Sequence, residues 1–169
     1  TMNAVNQSLN IFKLGFPNNT YTQEGIAVLT EYLSGHLTIR RLKELALRVV
    51  GVDLMINGLD FKAVYHEMVH SYYLKPKDAF ILTTRIFRGG GFTKDHLYLK
   101  GFIRILKLWE AGKSLSPLLL GKNSIQYYDI YKEMIARELA KSPDFITSIL
   151  SNPVKSKKEV EFVISGLRS

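Results

Sequence analysis

The chain has 169 residues, of which 46% are hydrophobic and 22% charged, with a formal net charge of +8 and no cysteine. That size and apolar share support a packed core and exclude a disordered chain. The absence of cysteine removes disulfides, thiolate metal sites and a cysteine nucleophile.

From the start, Asn3 to Tyr21 reads as loop, with short apolar patches at Leu9, Ile11, Phe12, Leu14 and Phe16. Pro17-Asn18-Asn19 is a turn signal. A helix is predicted from about Thr22 to Leu33, stopped by Ser34-Gly35. A longer one follows from Thr38 to Ile56, ended by Asn57-Gly58. Asp60 caps a third, to about Leu74, and Pro76 opens a fourth that reaches Phe87. Gly89-Gly90-Gly91 breaks the chain. Thr93 then caps a strongly amphipathic helix with Leu97, Phe102, Ile105, Leu106 and Trp109 at helical spacing, closed by Gly112. Ser116-Pro117 begins a turn ending at Gly121. Asn123 or Ser124 caps a helix to about Ala140, Ser142-Pro143 starts a short one, and Ser156 starts the last. Almost nothing alternates with period two, so the fold class is all-α, with room for one short strand over Leu9–Phe12. There is no repeat and no low-complexity linker, so residues 1–169 read as a single helical domain or domain fragment.

No apolar run approaches the roughly 18 residues of a membrane span, and the first residues lack the charged and apolar regions of a signal peptide. A membrane partner is therefore not expected, and a cytoplasmic setting is. The start at Thr1, with no cap or initiator, suggests a fragment. The positive charge gathers at Arg40, Arg41, Lys43 and Arg48, and again at Lys155, Lys157 and Lys158. Such a balance suits acidic partners, although a solvated basic face explains it as well. A non-catalytic interaction module or a nucleic-acid-binding helical domain is the alternative reading. Nucleic acid is disfavoured, because no aromatic–basic interleaving, helix-turn-helix spacing or zinc finger accompanies the charge.

His66-Glu67-Met68-Val69-His70 matches the zinc-peptidase pattern H-E-x-x-H. Histidines four apart share a helix face and can share Zn²⁺, with Glu67 as general base. The helical stripe argues against it. Phe61, Val64, Tyr65, Met68, Val69 and Tyr72 form the apolar side, which leaves His66 and His70 on the wet side. No third ligand follows at a spacing used by the known classes. A peptidase built on His66, Glu67 and His70 is thus the minor reading.

Several blocks together carry a resemblance. They are Thr22-Gln23-Glu24-Gly25-Ile26-Ala27 with Glu31-Tyr32-Leu33, then Ala79-Phe80, then Arg85-Ile86-Phe87-Arg88-Gly89-Gly90-Gly91-Phe92-Thr93-Lys94-Asp95. Tyr98-Leu99-Lys100-Gly101 and Leu118-Leu119-Leu120-Gly121-Lys122 complete the set. In order and spacing the chain resembles, from Asn3 to Lys122, the QEGLA-motif zinc metallopeptidases, which include the microtubule-associated tubulin tyrosine carboxypeptidases. Residues 123–169 read as a helical C-terminal extension. The resemblance implies a Zn²⁺ held by two histidines of an H-E-x-x-x-H motif and by the glutamate of the Q-E-G block. Here that glutamate is Glu24. The histidines and the general base would lie upstream of Thr1, so this chain alone should hold no zinc and be inactive.

The same residues have a physical reading of their own. A carboxylate in the first turn of a helix, where Glu24 is predicted, is favoured by the helix dipole and could equally be a capping acid. Gly25 beside it is odd in a helix unless something approaches closely. Arg85 and Arg88 precede a triple glycine and a helix start, an arrangement suited to a carboxylate. A carboxypeptidase needs such a grip on its substrate's chain end, which makes Arg85 and Arg88 the candidate anchors, with Lys94 and Tyr98 beside them. The competing reading pairs Arg85 with an internal acid such as Asp95 and leaves the glycines as a turn. Expected partners are a peptide or protein C-terminus, with an acidic one suited by charge, and the N-terminal half of the same protein. A homodimer through Leu9, Ile11, Phe12 and Phe16 is also expected.

Overall fold

A computed structural model describes residues 2–88 and 95–167. In chain order its α-helices are α1 (Met2–Val5), α2 (Ile11–Leu14), α3 (Asn19–Leu33), α4 (Ile39–Ile56), α5 (Phe61–His70), α6 (Pro76–Phe87), α7 (Leu97–Glu110), α8 (Tyr128–Ala136) and α9 (Lys158–Leu167). Short 3₁₀ turns cover Ser116–Leu119, Ile125–Tyr127 and Ser148–Leu150. Among the described residues there is no strand, so the chain is all-α. It divides into two compact units: residues 1–37 with 100–169, and residues 38–99.

The second unit is built from α4, α5 and α6. Thr38 caps α4, its hydroxyl accepting from the Arg41 N–H at 3.1 Å. Asp60 does the same for α5 through the Ala63 N–H at 2.8 Å, and Pro76 opens α6. Each helix turns one stripe inward, and Leu47, Val52, Val64, Met68, Ala79, Leu82 and Ile86 make a common core. Phe61 at the start of α5 meets Phe80 and Phe87 of α6 edge-on, with centroids 5.7 and 5.6 Å away. These are the geometries that ring quadrupoles favour.

In the first unit, the strand allowed for Leu9–Phe12 is replaced by a helical turn. Leu14 N–H donates to Asn10 C=O at 3.0 Å and Gly15 N–H to Ile11 C=O at 3.0 Å. Gly15, at φ +96°, ends it. Only Phe12 of this stretch is interior, fully buried against Phe16 and Tyr131. One anchoring ring needs a turn, whereas a strand would bury every second residue. Phe12 is therefore core and drops out of the proposed dimer surface, while Leu9, Ile11 and Leu14 are exposed.

Helix α3 starts at Asn19, three residues before the predicted start. Asn18 takes the left-handed conformation at φ +59° and turns the chain straight into the helix. Thr22 does not cap. It is buried, and its hydroxyl accepts from the Ile125 N–H at 2.8 Å. Gly35, at φ +72°, ends the helix as expected.

Helix α8 ends at Ala136 rather than Ala140, because Glu138 at φ +58° folds the Leu139 and Ala140 N–H groups back onto Met134 C=O. The short helix predicted at Ser142-Pro143 is absent. Two amides from the amino end hold that stretch open: Gln7 takes both backbone groups of Lys141 at 2.9 and 3.0 Å, and Asn3 both of Phe145 at 2.9 and 2.8 Å. Such reciprocal pairs occupy the groups a helix would need. Asn3 and Gln7 are themselves buried, so the start of the chain is part of the core and not a free loop.

Tyr128 and Tyr131 give this unit a pH dependence. Burial raises the pKa of both phenols above the ordinary value. Asp129 adds to the rise at Tyr128, and at Tyr131 the Ser124 backbone bond partly offsets it. A group whose pKa is raised in the folded state keeps its full stabilising effect below the unfolded value and loses it as pH climbs through the folded one. The melting temperature should therefore hold steady up to about pH 10, the ordinary tyrosine range, and fall beyond it. Tyr128→Phe should flatten that decline in a series of thermal melts against pH.

A candidate carboxylate-binding site

Arg48 lies three residues after Leu45 and three and four before Gly51 and Val52, all of them buried. Helical periodicity therefore turns it toward the interior of its own unit, despite its neighbours Arg40, Arg41 and Lys43. Its side chain is only 12% exposed. Arg85, in the last turn of α6, is 31% exposed. Both reach one carboxylate. Arg85 Nε donates to Asp95 Oδ1 at 2.5 Å, and Arg48 Nη1 lies 3.8 Å from the same oxygen. The Asp95 side chain is 5% exposed.

Two guanidiniums and one carboxylate leave one positive charge in excess. Tyr98, in the first turn of α7, presents its ring to both cations, 5.3 Å from Arg48 and 6.0 Å from Arg85. Cation–π attraction and the shared aspartate together hold the like charges side by side. Their pKa values move in opposite directions. The Asp95 hydrogen bond raises that of Arg85 above its ordinary value. Burial, followed by repulsion from Arg85, lowers that of Arg48. The split agrees with the distances, since Asp95 serves Arg85 first. Arg48 is the less satisfied cation, and it gains most from a second anion.

Of the expected anchors, Arg85 and Tyr98 are thus brought together, and Asp95 is the internal acid that pairs with Arg85. Arg88 closes α6 as an exposed residue. Lys94, the triple glycine and the Thr93 cap lie outside the described residues. Arg48 is the member that was missed: its place among Leu45, Gly51 and Val52 was readable, but the neighbouring charges masked it.

Glu24 is half-buried in the second turn of α3, because the helix begins at Asn19. The dipole argument for it therefore weakens, as that effect fades beyond the first turn. Gly25 does mark a close approach. A Cβ built there would sit 2.5 Å from Gly101 C and 2.6 Å from Gly101 O, so α3 and α7 cross backbone to backbone. Beside Glu24, the Gln23 Nε2 group is buried and, among the described residues, has no hydrogen-bond partner.

His66 and His70 are exposed on α5, whose buried residues are Val64 and Met68. Glu67 Oε2 accepts from Ser71 Oγ at 2.6 Å. Among the described residues no three His, Asp or Glu side chains converge as a metal cage would require. By themselves they do not fit a catalytic zinc, which takes three protein ligands.

A family model described as microtubule-associated tyrosine carboxypeptidase matches residues 1–168. The match runs through α9, well beyond Lys122, where the motif blocks end. No curated protein and no solved structure matches the chain.

Proposed function

Since this chain belongs to the microtubule-associated tyrosine carboxypeptidase family, and so carries a carboxypeptidase-like domain, we propose that its second unit anchors the carboxylate end of a peptide. Arg48, Arg85 and Tyr98 form the anchor, and Arg88, exposed at the end of α6, is a further cation; Lys94, the other anchor expected from the sequence, lies outside the described residues. One observation carries this reading: Arg48 and Arg85 share a single buried carboxylate, and their unspent positive charge is the complement of a chain end. Asp95 holds the Arg85 fork in place before the substrate arrives, which lowers the ordering cost of binding. The Tyr98 ring excludes water from one side of the pair and thereby strengthens its attraction for an anion.

Zinc enters through the family alone. Glu24 is the one residue of this chain that we assign as a ligand, and the two imidazoles and the general base belong to residues preceding Thr1. On this reading residues 1–169 alone neither hold zinc firmly nor hydrolyse peptides, because one carboxylate cannot replace three ligands. An acidic substrate tail suits the +8 charge.

The test compares peptides of identical sequence ending in a free carboxylate or in an amide, bound to the full-length protein and followed by fluorescence anisotropy. Hydrogen bonds to charged groups contribute about 1.5–3 kcal/mol. The free acid should therefore bind at least about tenfold more tightly. Arg85→Gln should erase most of that preference, while Arg88→Gln should reduce it only in part. Equal binding of acid and amide would remove the anchor from this unit. So would a preference that survives in both variants.

A further inference from the structure

We propose that His66 and His70 form a two-imidazole clip for a divalent late first-row cation, Zn²⁺, Ni²⁺ or Cu²⁺, on the outer face of α5 and independent of any peptidase centre. The two rings already stand together, with centroids 4.2 Å apart and planes tilted by 30°. Imidazoles sharing a metal at the usual nitrogen–metal distance of about 2.0–2.1 Å have centroids roughly 4.5–5 Å apart, so a small opening of the pair suffices. Among the described residues neither ring has a hydrogen-bond or ion-pair partner, and the ring nitrogens are not committed elsewhere.

The helix frame supports the placement. Val64 and Met68 are fully buried on the opposite stripe, which fixes the rotation of α5 and keeps both histidines outward. His70 is in the last turn, where the carbonyl end of the helix dipole favours a cation. Glu67 is engaged by Ser71, so it does not act as a third ligand from between them. Lys62, one turn before His66, is exposed, and its charge remains solvated. Imidazole nitrogen suits Cu²⁺, Ni²⁺ and Zn²⁺ over Ca²⁺ or Mg²⁺. Two protein ligands leave the other coordination positions to water or to a donor from another molecule. That separates this clip from closed four-ligand structural sites and from three-ligand catalytic ones.

The experiment is isothermal titration of the untagged, chelator-treated full chain with each metal chloride alone, in a non-coordinating buffer. One-to-one saturable binding is expected, tighter for Cu²⁺ than for Ni²⁺ or Zn²⁺, and weakening on acidification as protons compete for the same nitrogens. His66→Ala and His70→Ala should each weaken it at least tenfold. His36→Ala, remote in sequence and bonded to Ser34, should leave it unchanged. Both sites of substitution on α5 are exposed, and circular dichroism checks that the helix persists. Absence of saturable binding overturns the proposal, as does binding that survives His66→Ala. Binding lost only in Glu24→Gln would overturn it too, and would assign the metal to the family's centre.

Discussion

Alanine at Gly25 or at Gly101 is expected to destabilise the fold by about 1–3 kcal/mol or more, the range for forcing extra atoms into a packed interior. In a helix, exchanging glycine for alanine normally gains about 0.5–1 kcal/mol, so the expected sign is reversed. The reason is what the new methyl would strike. At Gly25 it meets the backbone carbonyl of Gly101, and at Gly101 it meets the Tyr21 carbonyl oxygen and the Gly25 backbone. Backbone cannot rotate aside, so α3 and α7 must separate, and the Tyr32–Phe102 contact at 6.1 Å opens with them. Two further glycines serve as controls. Gly51→Ala meets the Ile86 Cδ1 methyl, the movable end of a side chain, and should cost less. Among the described residues a Cβ added at Gly166, in α9, would meet nothing within 4 Å, so Gly166→Ala should be neutral or slightly stabilising. Urea denaturation of the four variants gives the order directly. Equal stability of the Gly25 and Gly101 variants with the parent would mean that the two helices do not cross at these glycines.

The second large effect belongs to Asp95. Asp95→Asn keeps the shape but removes the charge, leaving Arg48 and Arg85 to repel one another with no shared anion. Stripping one partner from a buried ion pair costs about 3–5 kcal/mol. Arg85 keeps 31% exposure, and solvent screening places the expected loss near the lower end. Asp95→Ala has a further use, because it leaves room for a carboxylate. Formate should raise the melting temperature of Asp95→Ala more than chloride at equal ionic strength does, and should do little for the parent. A variant as stable as the parent would show that Asp95 does not neutralise the pair. Formate acting no better than chloride would remove the argument that these guanidiniums select carboxylates.

Much of the helical plan was legible because its signals are local. Thr38 and Asp60 cap where their side chains reach one turn ahead, Pro76 opens α6, and Gly35 ends α3, each through contacts within a few residues. The same locality explains the side of α5 on which His66 and His70 lie, since the stripe of Val64 and Met68 is a property of spacing. The failures were of another kind. Thr22 looks like a helix start, yet its hydroxyl is spent on Ile125, 103 residues away. Ser142-Pro143 looks like another, yet Asn3 and Gln7 hold that stretch from the far end of the chain. Arg48 looks like one more surface charge until Asp95 arrives beside it.

The sequence by itself determined an all-α chain, the limits of α4 and α6 to within a residue, the wet face of α5 and, through its ordered motif blocks, the family. Propensity, capping and hydrophobic period act over a turn or two, and one strand of text records them completely. Only the tertiary structure decided that Gly25 faces Gly101, that two arginines share one aspartate, and that the amino end clamps the segment from Lys141 to Phe145. Those outcomes depend on which distant groups burial forces together, where an unpaired charge or donor is costly and must find its partner anywhere along the chain.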